Sequence, residues 1–289
     1  YISLRTFQQR ISIAKKNLKT QEHSAKLTRE RFQGGFVSGL DVANAEAQVA
    51  TTAAQIPLLE ASAHQTIYSL SILMALEPGA SARELSPAST IPMAPPSVPV
   101  GVPSDLLLRR PDIRRAEAAI HAATARIGVA TADLFPRFTL SGSLGLQAGT
   151  LSALDWVNRF WSLGPSVGWR VFDTGRIRSN IEQQKAVQEQ ELIAYQQSVL
   201  TALQEVENAL IASAKEQEHR NALVEAVRAN RKAVELAKML YTEGQTDFLN
   251  VLEAQRSLYT SEDAWVQSTR TMSTNLVALY KALGGGWTD

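Results

Sequence analysis

Phe32-Gln33-Gly34-Gly35-Phe36-Val37-Ser38-Gly39-Leu40-Asp41-Val42 returns late in the chain as Tyr241-Thr242-Glu243-Gly244-Gln245-Thr246-Asp247-Phe248-Leu249-Asn250-Val251. In each copy an aromatic residue closes a helical run and a glycine follows three residues later. A Leu-(Asp/Asn)-Val triplet then opens another run, carrying Ala45-Glu46-Ala47-Gln48 or Glu253-Ala254-Gln255. Further on, Ala75-Leu76 before Glu77-Pro78-Gly79 parallels Ala282-Leu283 before Gly284-Gly285-Gly286. The pattern is a duplicated helical hairpin, a repeated architectural part and not a catalytic pocket.

Composition agrees with that reading. The 289 residues are 45% apolar and 20% charged, with a formal net charge of +1. That length accommodates one or two domains with a sizeable core. Near-neutrality without clustered Lys and Arg gives no electrostatic footprint for nucleic acid. The absence of cysteine removes thiol catalysis, disulfides and thiolate metal sites. His23, His64, His121 and His219 are scattered without His-x-x-x-His spacing, and no nucleophile elbow or phosphate-binding glycine loop occurs. No enzyme, cofactor or metal site is therefore expected. No run of about 18 apolar residues exists to form a transmembrane helix. Tyr1-Ile2-Ser3-Leu4-Arg5 already reads as helix interior and not as a signal peptide, so the expectation is a chain truncated at its start.

Long helices account for most of the sequence. Residues 2–32 contain neither Gly nor Pro, and Leu18, Leu27 and Phe32 punctuate a run rich in Gln and Lys. A second helix is expected from Asp41, a good N-cap type, to Leu76, with Pro57 kinking it or removing one hydrogen bond. A third runs from about Thr174 to Tyr241 and would span roughly 100 Å. In it Val199, Leu203, Val206 and Leu210 follow the four-three-four spacing of a coiled-coil seam, as Leu223 and Val227 do with Val234 beyond. So long a helix cannot be hidden in a compact globule, and its polar faces must meet water or partner helices.

Two segments break the helical period. In Arg137–Gln147, Phe138, Leu140, Leu144 and Leu146 alternate with Thr139, Ser141 and Ser143. After a linker holding Trp156, Phe160 and Trp161, Leu163–Phe172 alternates again. Pro165, Val167, Trp169 and Val171 take one face, and Ser166, Gly168 and Arg170 the other. Period two over about ten residues, with tryptophans at the flanks, fits transmembrane β-strands with an aromatic girdle. The same alternation also fits a half-buried soluble sheet. Two strands cannot close a barrel, and an open edge is not tolerated in lipid, so a barrel needs strands from elsewhere.

The connecting region carries a family resemblance. Val98-Pro99-Val100-Gly101-Val102-Pro103-Ser104-Asp105-Leu106-Leu107-Leu108-Arg109-Arg110-Pro111-Asp112-Ile113-Arg114-Arg115-Ala116-Glu117 resembles the segment before the second barrel hairpin of TolC-like outer membrane factors. Within these outer-membrane efflux proteins the similarity is greatest to the drug-efflux lipoprotein subfamily. Ile127-Gly128-Val129-Ala130 with Leu134-Phe135-Pro136 is similar to that family's entry into a strand, and Phe172-Asp173-Thr174-Gly175-Arg176 to its exit into the long helix. Tyr280-Lys281-Ala282-Leu283-Gly284-Gly285-Gly286-Trp287 resembles its C-terminal ending.

The resemblance implies a mainly α fold with a transmembrane β-hairpin: a long antiparallel coiled-coil α-barrel plus β-barrel strands, trimeric in the full-length family. It assigns residues 1–78 to a first-repeat periplasmic helical hairpin and 79–103 to an equatorial linker. Residues 104–136 become a helical segment leading to the barrel, and 137–173 the outer-membrane β-hairpin. Residues 174–284 form the second-repeat periplasmic hairpin, and 285–289 a tail. The first repeat lacks its strand pair. The implied function is passive conduction of drugs or other small solutes from an inner-membrane pump across the periplasm and outer membrane of a Gram-negative bacterium. Implied partners are two further copies of the chain, a periplasmic membrane-fusion adaptor, a resistance-nodulation-division type pump and outer-membrane lipid. Type I protein secretion, or a soluble periplasmic coiled-coil structural or adaptor protein, is the alternative.

The resemblance also places an aperture gate at Leu249 and Glu253, four residues apart and so on one helix face. Three symmetry-related carboxylates would repel one another there and attract cations or protons. Asp247, Asn250 and Asp41 are weaker candidates, for polar contacts that hold the tips shut. Leu249 also suits a coiled-coil core, and an Asp at a helix start suits an N-cap. Adaptor docking is expected at two tips: Gly34, Gly35, Val37, Ser38 and Gly39, and Gly244, Gln245 and Thr246. Gly35 and Gly244 equally suit plain helix C-caps. The membrane-facing strand positions are Phe138, Leu140, Leu144, Leu146, Val167, Trp169 and Val171.

Overall fold

The computed structural model describes residues 1–92, 109–147 and 156–285. The linker beyond residue 92, the resemblance segment up to Leu108, the connection at 148–155 and the ending at Gly286-Trp287 lie outside them. The elements are α1 (Ile2–Gln33), α2 (Gly39–Leu73), a single turn α3 (Ala82–Leu85) and α4 (Pro111–Ala132). Strand β1 (Arg137–Leu146), a 3-10 turn (Trp156–Asn158), strand β2 (Arg159–Gly168), α5 (Arg176–Thr242) and α6 (Phe248–Ala282) follow. Two compact units result, one of residues 1–100 with 205–289 and one of residues 101–204.

In the first unit α1 packs along α2 and α6. Apolar clusters lie at intervals along the contact. Ala25, Ala45, Tyr241, Phe248, Val251 and Leu252 pack where α1 meets α2, and Ala14, Ile56 and Leu59 pack further along. Leu4, Ala63 and Ile67 fill the opposite end. The buried stripe of α1 is largely polar: Ala14, Asn17, Gln21, Ser24 and Thr28 recur at three-four spacing. Buried hydroxyls donate to carbonyls one turn back, as Ser24 Oγ does to Thr20 O (3.1 Å) and Thr28 Oγ1 to Ser24 O (2.9 Å). Others cross between helices. Gln255 Nε2 donates to Ser24 Oγ at 2.9 Å, and Asn17 Nδ2 to Glu262 Oε2 at 3.3 Å. Of the residues that punctuate this helix, Leu18 and Leu27 are half-buried and pack beside the apolar clusters, and Phe32 is exposed.

The duplication extends to the backbone. At the end of α1, Gly35 N donates to Phe32 O (2.9 Å) and Phe36 N to Arg31 O (2.9 Å). At the end of α5, Gly244 N donates to Tyr241 O (3.1 Å) and Gln245 N to Leu240 O (2.8 Å). Both are paired helix-ending bonds around a left-handed residue, φ +79° at Gly35 and +75° at Gly244. The far ends match as well, with Ala75 (φ 57°) standing where Gly284 (φ 90°) stands in the second copy. The backbone therefore equates Ala75 with Gly284, displaced by two from the Ala75-Leu76 and Ala282-Leu283 pairing. Helix α2 is continuous through Pro57. It begins earlier than expected, at Gly39, because Ser38 is its N-cap and Asp41 is the reciprocal partner in a capping box. Along the middle of α5 Ala202, Val206, Ala209 and Val234 are buried, with Ile177 and Tyr241 buried near its two ends, whereas Leu203 is exposed. Alanines fill the close-packed positions there, since interaxial distance follows side-chain size.

In the second unit Pro111 opens α4, and Arg110 holds Asp112 at 2.6 Å. That guanidinium keeps the Asp112 carboxyl below its ordinary value. Strands β1 and β2 form an antiparallel hairpin from Arg137↔Gly168 to Leu146↔Arg159. On one face Phe138, Leu140, Leu144 and Leu146 meet Val167, Pro165, Trp161 and Arg159. On the other, Thr139 Oγ1 and Ser166 Oγ lie 2.6 Å apart, and Ser143 Oγ and Ser162 Oγ 2.7 Å. β2 starts and ends four residues before the expected span, so Phe160 and Trp161 belong to the strand and not to a linker. Trp169 and Val171 fall beyond it, a correction to their placement as strand residues. The alternation runs on in phase past Gly168 and marks no end. Instead Trp169 Nε1 donates to Leu134 O at 3.1 Å.

Candidate functional site

The turn after α1 and the turn after α5 belong to one unit, and named side chains tie them together. Arg31 Nη1 reaches from the end of α1 to Tyr241 O (2.6 Å) and Thr242 O (3.0 Å), the carbonyls that end α5. Its guanidinium also lies over the Tyr241 ring, 4.8 Å from the centroid. Tyr241 donates its hydroxyl to Thr28 Oγ1 (3.2 Å) and packs edge-on against Phe248, with centroids 5.6 Å apart. An arginine at a helix C-terminus satisfies carbonyls that have no partner within the helix and meets the negative end of its dipole. The first turn thereby holds the second.

Candidate residues separate by position. Val37 packs against the Ala25–Tyr241 cluster, while Phe36, 76% exposed, projects from the turn. Gly34 admits that ring, since a Cβ there would sit 2.8 Å from Phe36. Ser38, Gly39, Gln245 and Asp247 lie at the starts and ends of helices, and Gly35 and Gly244 take the left-handed φ of the turns that follow α1 and α5. Asp247 is the N-cap of α6 but makes no side-chain cap bond, unlike Ser38 at the equivalent place. Asn250 Nδ2 donates instead to Thr246 Oγ1 at 2.6 Å.

Leu249 is 56% exposed, because Phe248, Val251 and Leu252 take the buried positions of that turn. Within this chain Leu249 is therefore not a core position. Leu40, its counterpart in the first copy, is exposed as well. Glu253 is exposed one turn further on, with Arg256 Nη1 3.3 Å from Oε1. Arg256 Nε in turn donates to Gln48 Oε1 on α2 at 2.8 Å. The chain thus presents Leu249 and Glu253 on one exposed face, with Glu253 braced through Arg256 to the first hairpin.

Arg31, Gln48 and Arg256 were not among the sequence candidates. A signal existed where the two copies differ: Arg31 corresponds to Leu240, and Arg256 to Ala47. Among the described residues no cluster of His, Asp or Glu is arranged to hold a metal ion, and no helix is long and apolar enough to cross a membrane.

Comparison with known proteins gives a consistent result. The profile of the family described as outer membrane efflux protein matches residues 1–75 and 102–285. Nodulation protein T of Rhizobium leguminosarum bv. viciae is 35% identical over 295 residues, covering 99% of this chain and 60% of that protein. The pyoverdine export outer membrane protein OpmQ of Pseudomonas aeruginosa is 35% identical over 288 residues, covering 99% and 60%. Among solved structures, the outer-membrane channel OprN superposes with a TM-score of 0.89 at 41% identity, covering 99% of this chain and 64% of that one. The chain spans about 60% of the length of the curated relatives it matches.

Proposed function

The chain belongs to the outer membrane efflux protein family, and from that premise we propose that its protein is the outer-membrane channel of a tripartite efflux system. Three copies enclose a passage through which small solutes move passively, driven by an inner-membrane pump and coupled to it by a periplasmic adaptor. The observation that carries this reading is the β1–β2 hairpin. Its apolar face, with Phe138, Leu140, Leu144 and Trp161, is covered by nothing among the described residues. A two-stranded sheet is marginal in water, and an uncovered apolar face of this kind belongs against lipid or other protein. The Ser and Thr face then lines water, as in barrels that conduct.

Leu249 and Glu253 form the gate in this reading. Both are exposed, and their only use within one chain is the Glu253–Arg256 pair among the described residues. Placed near a threefold axis, Leu249 supplies an apolar constriction and Glu253 a carboxylate ring. The tips around Phe36 and Gln245 are the adaptor-docking surface. Asp247 and Asn250, which have no structural bond to the first hairpin among the described residues, complete the aperture's polar lining.

The test is single-channel recording of the full-length protein in planar bilayers. Small, discrete conductance steps that grow in Glu253→Ala are the expected result. A protein recovered only from the soluble fraction, with no conductance of its own, would sink the channel reading. Conductance and ion selectivity unchanged in Glu253→Ala would move the gate away from that residue.

A further inference from the structure

At the helix-proximal end of the β hairpin, Arg137 faces Gly168 and the chain passes through Trp169–Gly175 into α5. A cleft of about 410 Å³ opens there between Arg170, Arg176 and Asp133. Ser179, Asn180 and Gln183 from the first turns of α5 supply hydroxyl and amide groups to its wall. All of these residues lie within the second unit.

The charges in the cleft do not cancel. Neither the Arg170 nor the Arg176 guanidinium makes a hydrogen bond or ion pair with another described residue, and Asp133 is the one carboxylate in the lining. Asp173 attracts Arg176 at longer range, but its oxygens accept from Gly175 N (3.1 Å) and Ile177 N (2.7 Å) at the start of α5. The helix N-terminus is therefore already capped by Asp173, and within the cleft's lining the positive character is that of two arginines against the single carboxylate of Asp133. Because β2 ends at Gly168, Arg170 is released from the strand's alternation between faces. A guanidinium offers a planar fork of donors that fits the oxygens of a phosphate two at a time.

The surroundings indicate where that phosphate comes from. Phe172 is 97% exposed, and Trp169, Val171 and Phe135 are exposed beside it. Large apolar side chains next to arginines, at the end of an apolar-faced hairpin, match the headgroup level of a bilayer. We propose that this cleft binds the phosphodiester headgroup of an anionic lipid in the outer membrane's periplasmic leaflet, with Arg170 and Arg176 as its ligands. Trp169, Val171 and Phe172 flank the bound lipid's glycerol and upper acyl region. This rests on the reading of β1 and β2 as outer-membrane strands.

The experiment uses the full-length protein in nanodiscs of phosphatidylcholine containing a minority of phosphatidylglycerol, with retained lipid identified by native mass spectrometry. Phosphatidylglycerol is expected to be retained in preference to phosphatidylcholine. An arginine near an anionic headgroup is worth about 1 kcal/mol, or about fivefold in affinity, so Arg170→Gln with Arg176→Gln should lower that preference about 25-fold. Equal retention of both lipids by the wild type and the double variant overturns the proposal. Binding of inorganic phosphate in detergent without any retained phosphatidylglycerol also overturns it and makes the cleft an aqueous anion site. In the same nanodiscs, Leu144→Cys carrying a fluorophore reports on the strands through quenching by brominated acyl chains. Quenching without lipid preference means that the cleft assignment alone has failed. Absence of quenching means that the membrane reading of the hairpin has failed.

Discussion

Removing the Arg31 side chain should loosen the second tip while leaving the first intact. The guanidinium donates a short hydrogen bond to Tyr241 O and a longer one to Thr242 O, and makes a cation–π contact with the Tyr241 ring. A hydrogen bond from a charged donor contributes about 1.5–3 kcal/mol, and the ring contact about 0.5–1 kcal/mol at a partly exposed site. Arg31→Ala should therefore cost about 2–4 kcal/mol locally, offset in part by water reaching the freed carbonyls. The readout is hydrogen exchange at the Gly244 and Gln245 amides, which close the end of α5 onto Tyr241 O and Leu240 O. Exchange through local opening should accelerate roughly 30- to 1,000-fold at these two amides. The corresponding Gly35 and Phe36 amides should change far less, since they bond within α1. Arg31→Lys keeps the charge but loses the planar fork, so it should fall between the two. Unchanged exchange at Gly244 and Gln245 in Arg31→Ala, or equal acceleration at both tips, would refute the idea that the first tip holds the second.

Other expectations concern stability. Ala75 adopts the left-handed conformation that its counterpart Gly284 takes without cost, so Ala75→Gly should stabilise the full-length protein by about 1 kcal/mol in denaturant unfolding; destabilisation would contradict the assignment of strain. Gln21 is buried with neither Oε1 nor Nε2 bonded among the described residues, and Gln21→Leu should raise stability by about 1–2 kcal/mol in the same assay. No gain there would mean that a group outside this chain satisfies the amide. The Asp112 carboxyl titrates below its ordinary 3.8 because of Arg110, so its contribution is fully present above that value and is lost as pH falls through the depressed one. Asp112→Asn should accordingly lower thermal stability at neutral pH and converge with wild type in acid, and a pH-independent difference would show that the ion pair is not the cause.

The sequence and the structure agree where a pattern has one physical cause. The Phe32–Val42 and Tyr241–Val251 repeat marked both turns because a left-handed residue at Gly35 and Gly244 is needed to end one helix and reverse the chain. Alternation over Phe138–Leu146 located β1 because a strand exposes every second residue to one face. The rest was harder to read because the deciding contacts are between residues distant in the chain. The seam of α1 runs through Asn17, Gln21, Ser24 and Thr28, side chains that read as surface until Gln255 and Glu262 are brought against them. Ser38 and not Asp41 is the N-cap because a capping box uses both residues, and the helix starts at Gly39, directly after the Ser. Arg31 gave no periodic signal, since its role depends on carbonyls more than two hundred residues away. The alternation overruns the C-terminal end of β2 because it continues through Trp169 and Val171, where hydrogen bonding to β1 has already stopped.

The placement of Leu249 at a threefold aperture is tested most directly by cross-linking. The chain has no cysteine, so Leu249→Cys in the full-length protein introduces one thiol at the exposed face of α6 in this region. Oxidation in intact cells should then yield covalently linked subunits and suppress single-channel conductance, with both effects reversed by reductant. Thiols that react freely with a soluble label yet never cross-link, in a protein that still conducts, would place Leu249 away from the axis and contradict the gate.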